Sequence, residues 1–192
     1  PAPASIVITE VMQNPSAVSD FSGEWFEVFN PGPADVDLAG WTIADQDIDS
    51  HVIAGSLIVP AGGYRVLGRN AESSVNGGVP VDYAYDSDLA LANGADELIL
   101  TTPEGVEVDR IEWDGGPDWP DPTGASMALT DPAADNNDGA NWEEATESYG
   151  DGDFGTPGAA NGGGGVDPVD PPAEITRIHD IQGDGAAPPL IG

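Results

Sequence analysis

Residues 24–45 read Glu-Trp-Phe-Glu-Val-Phe-Asn-Pro-Gly-Pro-Ala-Asp-Val-Asp-Leu-Ala-Gly-Trp-Thr-Ile-Ala-Asp, and this stretch decides the fold. Two runs of aromatic and β-branched residues, Glu24–Asn30 and Val36–Ala44, flank a Pro-Gly-Pro turn. The pattern predicts either a β-hairpin or a turn that carries the chain from one sheet to another. Successive strand side chains alternate between faces, so Trp25 and Phe29 fall on one side and Phe26 and Val28 on the other. Apolar groups on both faces predict a central strand covered on both sides. In the second run Val36 and Leu38 share one face, whereas Trp41 and Ile43 share the opposite one. The phase changes at Gly40, where a glycine inside a strand pattern marks a bulge or a close backbone approach. These residues are expected at the heart of a β-sandwich.

Working outward, Ser5–Met12 opens the domain as a strand, with Ile6 and Ile8 on one face and Val7 and Val11 on the other. Gln13–Ser22 is a polar loop. His51–Pro60 reads as a short strand with a Gly-Ser break, and Tyr64–Gly68 as another. Past the exposed loop Ala71–Pro80, Val81–Tyr85 and Leu89–Leu91 are short strand candidates. Glu97–Thr102 and Val106–Trp113 bracket Pro103-Glu104-Gly105, a hairpin signal. Ser126–Thr130 reads as the last small strand. Residues 131–155 form an acidic loop anchored by Trp142 and Tyr149, with at most one helical turn near Trp142–Thr146. About eight to ten short strands at these spacings suit a sandwich.

The 192 residues are 39% hydrophobic, enough for one core of ordinary size, and the 26 glycines and 18 prolines favour turns over long helices. Thirty-five Asp and Glu face only four basic residues, all arginine (Arg65, Arg69, Arg110 and Arg177), for a formal charge of −31. Such a surface repels phosphate, so direct nucleic-acid binding is not expected. The charge suits solubility in a salty medium, or the gathering of divalent cations on some carboxylates. With no cysteine there is neither a disulfide framework nor thiolate chemistry. No run approaches the roughly 20 apolar residues that span a bilayer, so membrane insertion is not expected. The opening Pro-Ala-Pro-Ala would suit a chain after signal cleavage, which points to an extracellular or cell-surface location.

Calcium is the cofactor that the acidic loops could take. Asp135-Asn136-Asn137-Asp138-Gly139, with Asp131 before it, packs oxygen ligands into a turn, and Asp131, Asp135, Asn137 and Asp138 are the candidate ligands. Thr146 stands where an EF-hand would place its bidentate Glu, so this is no EF-hand. Asp45, Asp47 and Asp49 form a second candidate, since alternate residues of an extended strand point to one face. Both groups also read as plain solvated loops. The two histidines, His51 and His179, lie in different modules and read as ordinary strand residues. Trp41 and Trp113 sit within strand patterns and are expected in the core. Trp119, in a Pro-rich loop, is the aromatic most expected at the surface, where it would cover a sandwich end.

Ile8-Thr9-Glu10-Val11-Met12, then Gly23–Asn30, then Leu38-Ala39-Gly40-Trp41, and the closing Gly155-Thr156-Pro157-Gly158-Ala159-Ala160-Asn161 together resemble the lamin tail domain, in its bacterial secreted branch. The resemblance covers roughly Ser5 to Asn161 and implies an all-β, immunoglobulin-like sandwich. Around it the chain divides into an arm (1–4), the sandwich (5–161), a Gly/Pro/Asp linker (162–173) and a C-terminal strand (174–192). Ile178-His179-Asp180-Ile181-Gln182-Gly183 resembles the first strand of the OB-like module of secreted nucleases of the endonuclease/exonuclease/phosphatase type. The catalytic domain of such a nuclease is not in this chain. The expected function is therefore a non-catalytic accessory or tethering domain of a secreted bacterial protein, an extracellular nuclease by resemblance. The alternative is self-assembly, with the strand carrying Ile175, Ile178 and Ile181 added to a sheet edge of a second copy.

Overall fold

The computed structural model describes residues 5–162. In chain order the first strands are β1 (Val7–Met12), β2 (Trp25–Phe29), β3 (Val36–Asp37), β4 (Thr42–Ala44), β5 (Ser50–Val52), β6 (Ile58–Val59) and β7 (Tyr64–Gly68). They are followed by β8 (Tyr83–Ala84), β9 (Ala95–Thr101), β10 (Glu107–Asp114), β11 (Met127–Leu129), β12 (Trp142–Glu144), β13 (Ser148–Tyr149) and β14 (Asp153–Phe154). A single helical turn, Asp20–Gly23, and a 3₁₀ turn, Gly139–Asn141, complete the described elements.

Two sheets face each other. One has six strands in the order β12-β11-β1-β2-β7-β8, the other four in the order β10-β9-β4-β5. All their pairings are antiparallel except β7 with β8. Phe26, Val28, Ile8, Val11 and Leu67 from the first sheet meet Ile43, Leu98, Leu100, Ile111 and Trp113 from the second in one core. This is the immunoglobulin-like β-sandwich expected from the sequence.

β2 is central and covered on both faces, as its double apolar pattern predicted. Its outward Trp25 packs with Met12, Val66 and Val79 in a satellite cluster, against which Tyr149 lies edge-on, 5.9 Å between ring centroids. The Pro-Gly-Pro turn is the sheet-to-sheet kind. β2 pairs with β1 and β7, β3 pairs with β6 in a small separate sheet, and only β4 joins the four-stranded sheet. The phase change lies at Gly40, whose φ of +77° makes the turn between β3 and β4.

Several sequence expectations are corrected. Ile8 and Val11 do not face opposite ways. Thr9 is an extra residue between the pairs Ile8–Val28 and Glu10–Glu27, and this bulge returns Val11 to the core. Leu89–Leu91 forms no strand; Leu89 and Leu91 are buried in a loop. Ser126–Thr130 is not the last strand, because β12 pairs with β11 and β13 pairs with β14 inside the supposed acidic loop. Trp142–Thr146 carries β12 rather than a helical turn. Trp119 is not exposed: it is buried against Trp142, with ring centroids 5.4 Å apart. The linker and the strand with Ile175, Ile178 and Ile181 lie outside the described residues, as does the arm.

Candidate functional site

The outward face of the six-stranded sheet carries two carboxylates where alternation alone would put apolar groups. Glu10 of β1 stands directly opposite Glu27 of β2 in the strand register, and both are fully buried. The segment that covers them is Gly155–Asn161, the last of the sandwich. Glu10 Oε1 accepts from the Ser126 hydroxyl (2.5 Å) and the Thr156 N–H (2.8 Å), and Oε2 lies 3.1 Å from the Thr156 hydroxyl. Glu27 accepts from the Thr9 hydroxyl at 2.8 Å and from the Gly158 N–H at 2.7 Å. Asn161 closes the segment: its Nδ2 donates to the carbonyls of Thr9 (2.7 Å) and Leu129 (3.0 Å), and its Oδ1 accepts from the Thr156 hydroxyl (2.8 Å).

Burial pushes the Glu10 carboxyl up, against the pull of its hydrogen bonds. Burial and then the charge of Glu10 push Glu27 well above the carboxylate range. A buried, unpaired carboxylate pays heavily for its charge and keeps its proton instead. The chemistry of this site is that of a structural clamp, in which two acids from central strands grip the chain as it leaves the domain. Gly155 admits it. A Cβ there would meet Glu10 Oε1 and Tyr149 Cε1 at 3.0 Å and Ser126 Oγ at 3.1 Å. Gly155→Ala should therefore lower stability by about 1–3 kcal/mol, measured by urea unfolding, because none of those three groups is free to withdraw.

Other buried or half-buried acids hold loops in the same manner. Asp109 of β10 accepts from the Ile8 N–H (2.6 Å) and Asn136 Nδ2 (2.8 Å), joining the two sheets, and burial pushes its carboxyl up to about 6. Glu24 accepts from the Leu91 N–H at 3.0 Å and from Arg69 Nη1 at 3.1 Å. Burial outweighs both partners and pushes its carboxyl up to about 7. Asp153 accepts the N–H groups of Ser16 and Ala17. On the opposite flank His51 of β5 bridges Asp88 (2.9 Å) and the Tyr83 hydroxyl of β8 (2.7 Å). The Tyr83 oxygen also accepts from the Ala54 N–H, which joins β8 to the chain just after β5. The histidine expected to be an ordinary strand residue thus stitches an edge of one sheet to an edge of the other.

Three of the four candidate calcium ligands in the 131–138 loop each turn one carboxylate oxygen to their own backbone. Oδ1 of Asp131, Asp135 and Asp138 accepts the N–H two residues on, at 2.9, 3.1 and 3.1 Å. Asn137 is exposed, and the neighbour left out of that set, Asn136, is the one that turns inward. Asn136 donates to the Ile8 carbonyl (3.1 Å) and accepts from Trp142 Nε1 on its own carbonyl (2.8 Å). Asp45, Asp47 and Asp49 do not lie along an extended strand. They form the turn between β4 and β5, where Asp45 Oδ1 accepts from the N–H of both Asp47 and Asp49. Among the described residues no three His, Asp or Glu side chains are gathered as metal ligands.

Sequence reasoning missed Glu10 and Glu27 as site residues. The available signal was Glu27 itself, a lone acid between Trp25 and Phe29 on one face of a doubly apolar strand.

No curated protein matches the chain. The profile of the lamin tail domain family matches residues 1–115, which takes in β1 to β10, including both clamp acids, and stops before the segment they grip. With the sandwich and this match in hand, the chain belongs to the lamin tail domain family.

Proposed function

We propose that this chain is a non-catalytic accessory module that tethers a neighbouring part of a secreted bacterial protein, an extracellular nuclease by the resemblance of residues 178–183. The observation that carries the reading is the clamp: the chain leaves the sandwich from a seat fixed by five side chains, Glu10, Glu27, Ser126, Thr156 and Asn161. A tether needs a fixed exit, whereas an isolated sandwich does not. Extracellular work is supported by the charge of −31 and by the pairing of all three described arginines, Arg65 with Asp82, Arg69 with Glu24 and Arg110 with Glu107. Family membership supports the absence of catalysis.

A second reading has its own observation. β10 is an eight-residue strand at an edge of the four-stranded sheet, long enough to take an added strand from a second copy. Its Glu107, Arg110, Glu112 and Asp114 discourage such pairing, as charged edges do. The full chain should therefore run as a monomer in light scattering after size exclusion, with or without a calcium chelator. Large assemblies that an Ile178→Asp substitution disperses would replace the tether by the assembly reading. Assemblies that collapse on chelation would assign calcium to the acidic loops.

A further inference from the structure

Thr156 has one hydroxyl proton and two oxygen neighbours that would both take it. Its Oγ1 lies 2.8 Å from Asn161 Oδ1 and 3.1 Å from Glu10 Oε2. The orientation of Asn161 is settled by its other end, where Nδ2 donates to two carbonyls, so Oδ1 can only accept. Of the two contacts the one to Asn161 is the shorter, and it takes the Thr156 proton. The contact with Glu10 Oε2 is then a hydrogen bond only when Oε2 itself carries a proton. Glu10 Oε1 already accepts from Ser126 and from the Thr156 N–H, which leaves Oε2 as the protonated oxygen.

We propose that Glu10 is the head of a proton relay, Glu10 Oε2–H to Thr156 Oγ1–H to Asn161 Oδ1, and that loss of its proton unseats Thr156–Asn161 from the sheet. With Glu10 ionised, its Oε2 and Asn161 Oδ1 are two acceptors competing for the one hydroxyl proton of Thr156, and the Asn161 bond or the Glu10 bond is lost. Ionisation also sets a second anion opposite Glu27 in the register, with neither in contact with water. Among the described residues no cation is at hand to offset this, since their three arginines are paired with Asp82, Glu24 and Glu107. The groups that face the pair from other elements are Tyr64 on β7 and Tyr149 on β13, with Asp153 on β14 beyond Tyr149. All are neutral or negative, so none favours the doubly charged state. The sign follows from burial: a carboxyl raised in the folded state holds the segment at low pH and lets go as pH rises. Release of the six residues 156–161 would lengthen the exit by about 20 Å. The inference rests on the reading of this segment as the exit of a tether and adds a proton as its regulator.

Hydrogen exchange on the full chain tests it, and its readout does not depend on the oligomeric state that tests the tether. After correction for intrinsic rates, protection of residues 156–161 should fall at least tenfold between about pH 5 and about pH 9, with β9 and β10 unchanged. Glu10→Gln keeps a donor toward Thr156 Oγ1 at every pH, so its protection should stay flat. Protection that is independent of pH in the native chain, or that falls equally in Glu10→Gln, overturns the relay. Should Glu10→Gln fail to fold, Thr156→Val serves: it removes the hydroxyl but keeps the N–H. Its segment should exchange at least tenfold faster than native at pH 5 and without the native pH dependence, and native-like protection in it would also overturn the relay.

Discussion

Phe26→Ala should remove about 3–5 kcal/mol of stability, the cost of deleting a buried aromatic that the surroundings cannot collapse to fill. Phe26 is fully buried, lies opposite Val11 on one side and Leu67 on the other, and stacks on Tyr85 with centroids 6.0 Å apart. Its neighbours are backbone-paired on both flanks, so the sheet cannot close over the hole. For a domain whose whole stability is about 5–15 kcal/mol this is about a fifth or more. The urea midpoint should drop with no change in slope, and Ile48→Ala, at a residue 93% exposed, should stay within about 0.5 kcal/mol of native. A loss below about 1 kcal/mol at Phe26 would mean that the two sheets do not share the single core described above.

The second large effect is with pH. Glu24 and Asp109 have carboxyls raised to about 7 and about 6, above the values of about 4.5 and about 4 that an unfolded chain gives them. Below about pH 4 both states are protonated and nothing is lost. As pH rises the unfolded chain releases these protons first and gains on the folded one. For Glu24 the loss runs from about pH 4.5 to about pH 7 and amounts to about 3 kcal/mol; Asp109 adds to it between about pH 4 and about pH 6. Glu10 and Glu27 act in the same direction. Self-repulsion of a chain at −31 does so too. Thermal midpoints should therefore be higher at pH 5 than at pH 8. Asp109→Asn keeps an acceptor for the Ile8 N–H and should flatten the acidic limb of the curve. A midpoint that rises from pH 5 to pH 8 would contradict the burial of these acids.

Much of the sandwich could be read before any coordinates because its central strand announces itself. Trp25, Phe26, Val28 and Phe29 leave no solvent face, and Pro103-Glu104-Gly105 allows little but a hairpin between β9 and β10. Legibility failed where a single residue changed the phase. The bulge at Thr9 reverses the faces of everything after it in β1, and no residue type there betrays an insertion. It failed again where tertiary partners overrode composition. Residues 131–155 look like a solvated acidic loop, yet Asn136, Trp142 and Asp153 are buried in it and two further strand pairings run through it. Trp119 was expected outside because of its Pro-Asp neighbours, but Trp142 lies over it. The clamp was hidden for a different reason. Glutamate in a strand reads as the wet side, and it is the distant Thr156 and Gly158 that bring N–H partners to Glu10 and Glu27. Separations of more than 130 residues leave no local trace.

The grip of Asn161 on Thr9 has a mechanical consequence. The side chain that ends the sandwich is bonded to the backbone of its first strand, so the two places where tension could enter the domain are fastened together. A pull on the chain at Asn161 is passed to β1 through a short staple of polar bonds. Such a domain would be a poor spring but a good rivet: under tension the staple shears first, and the sandwich behind it keeps its shape.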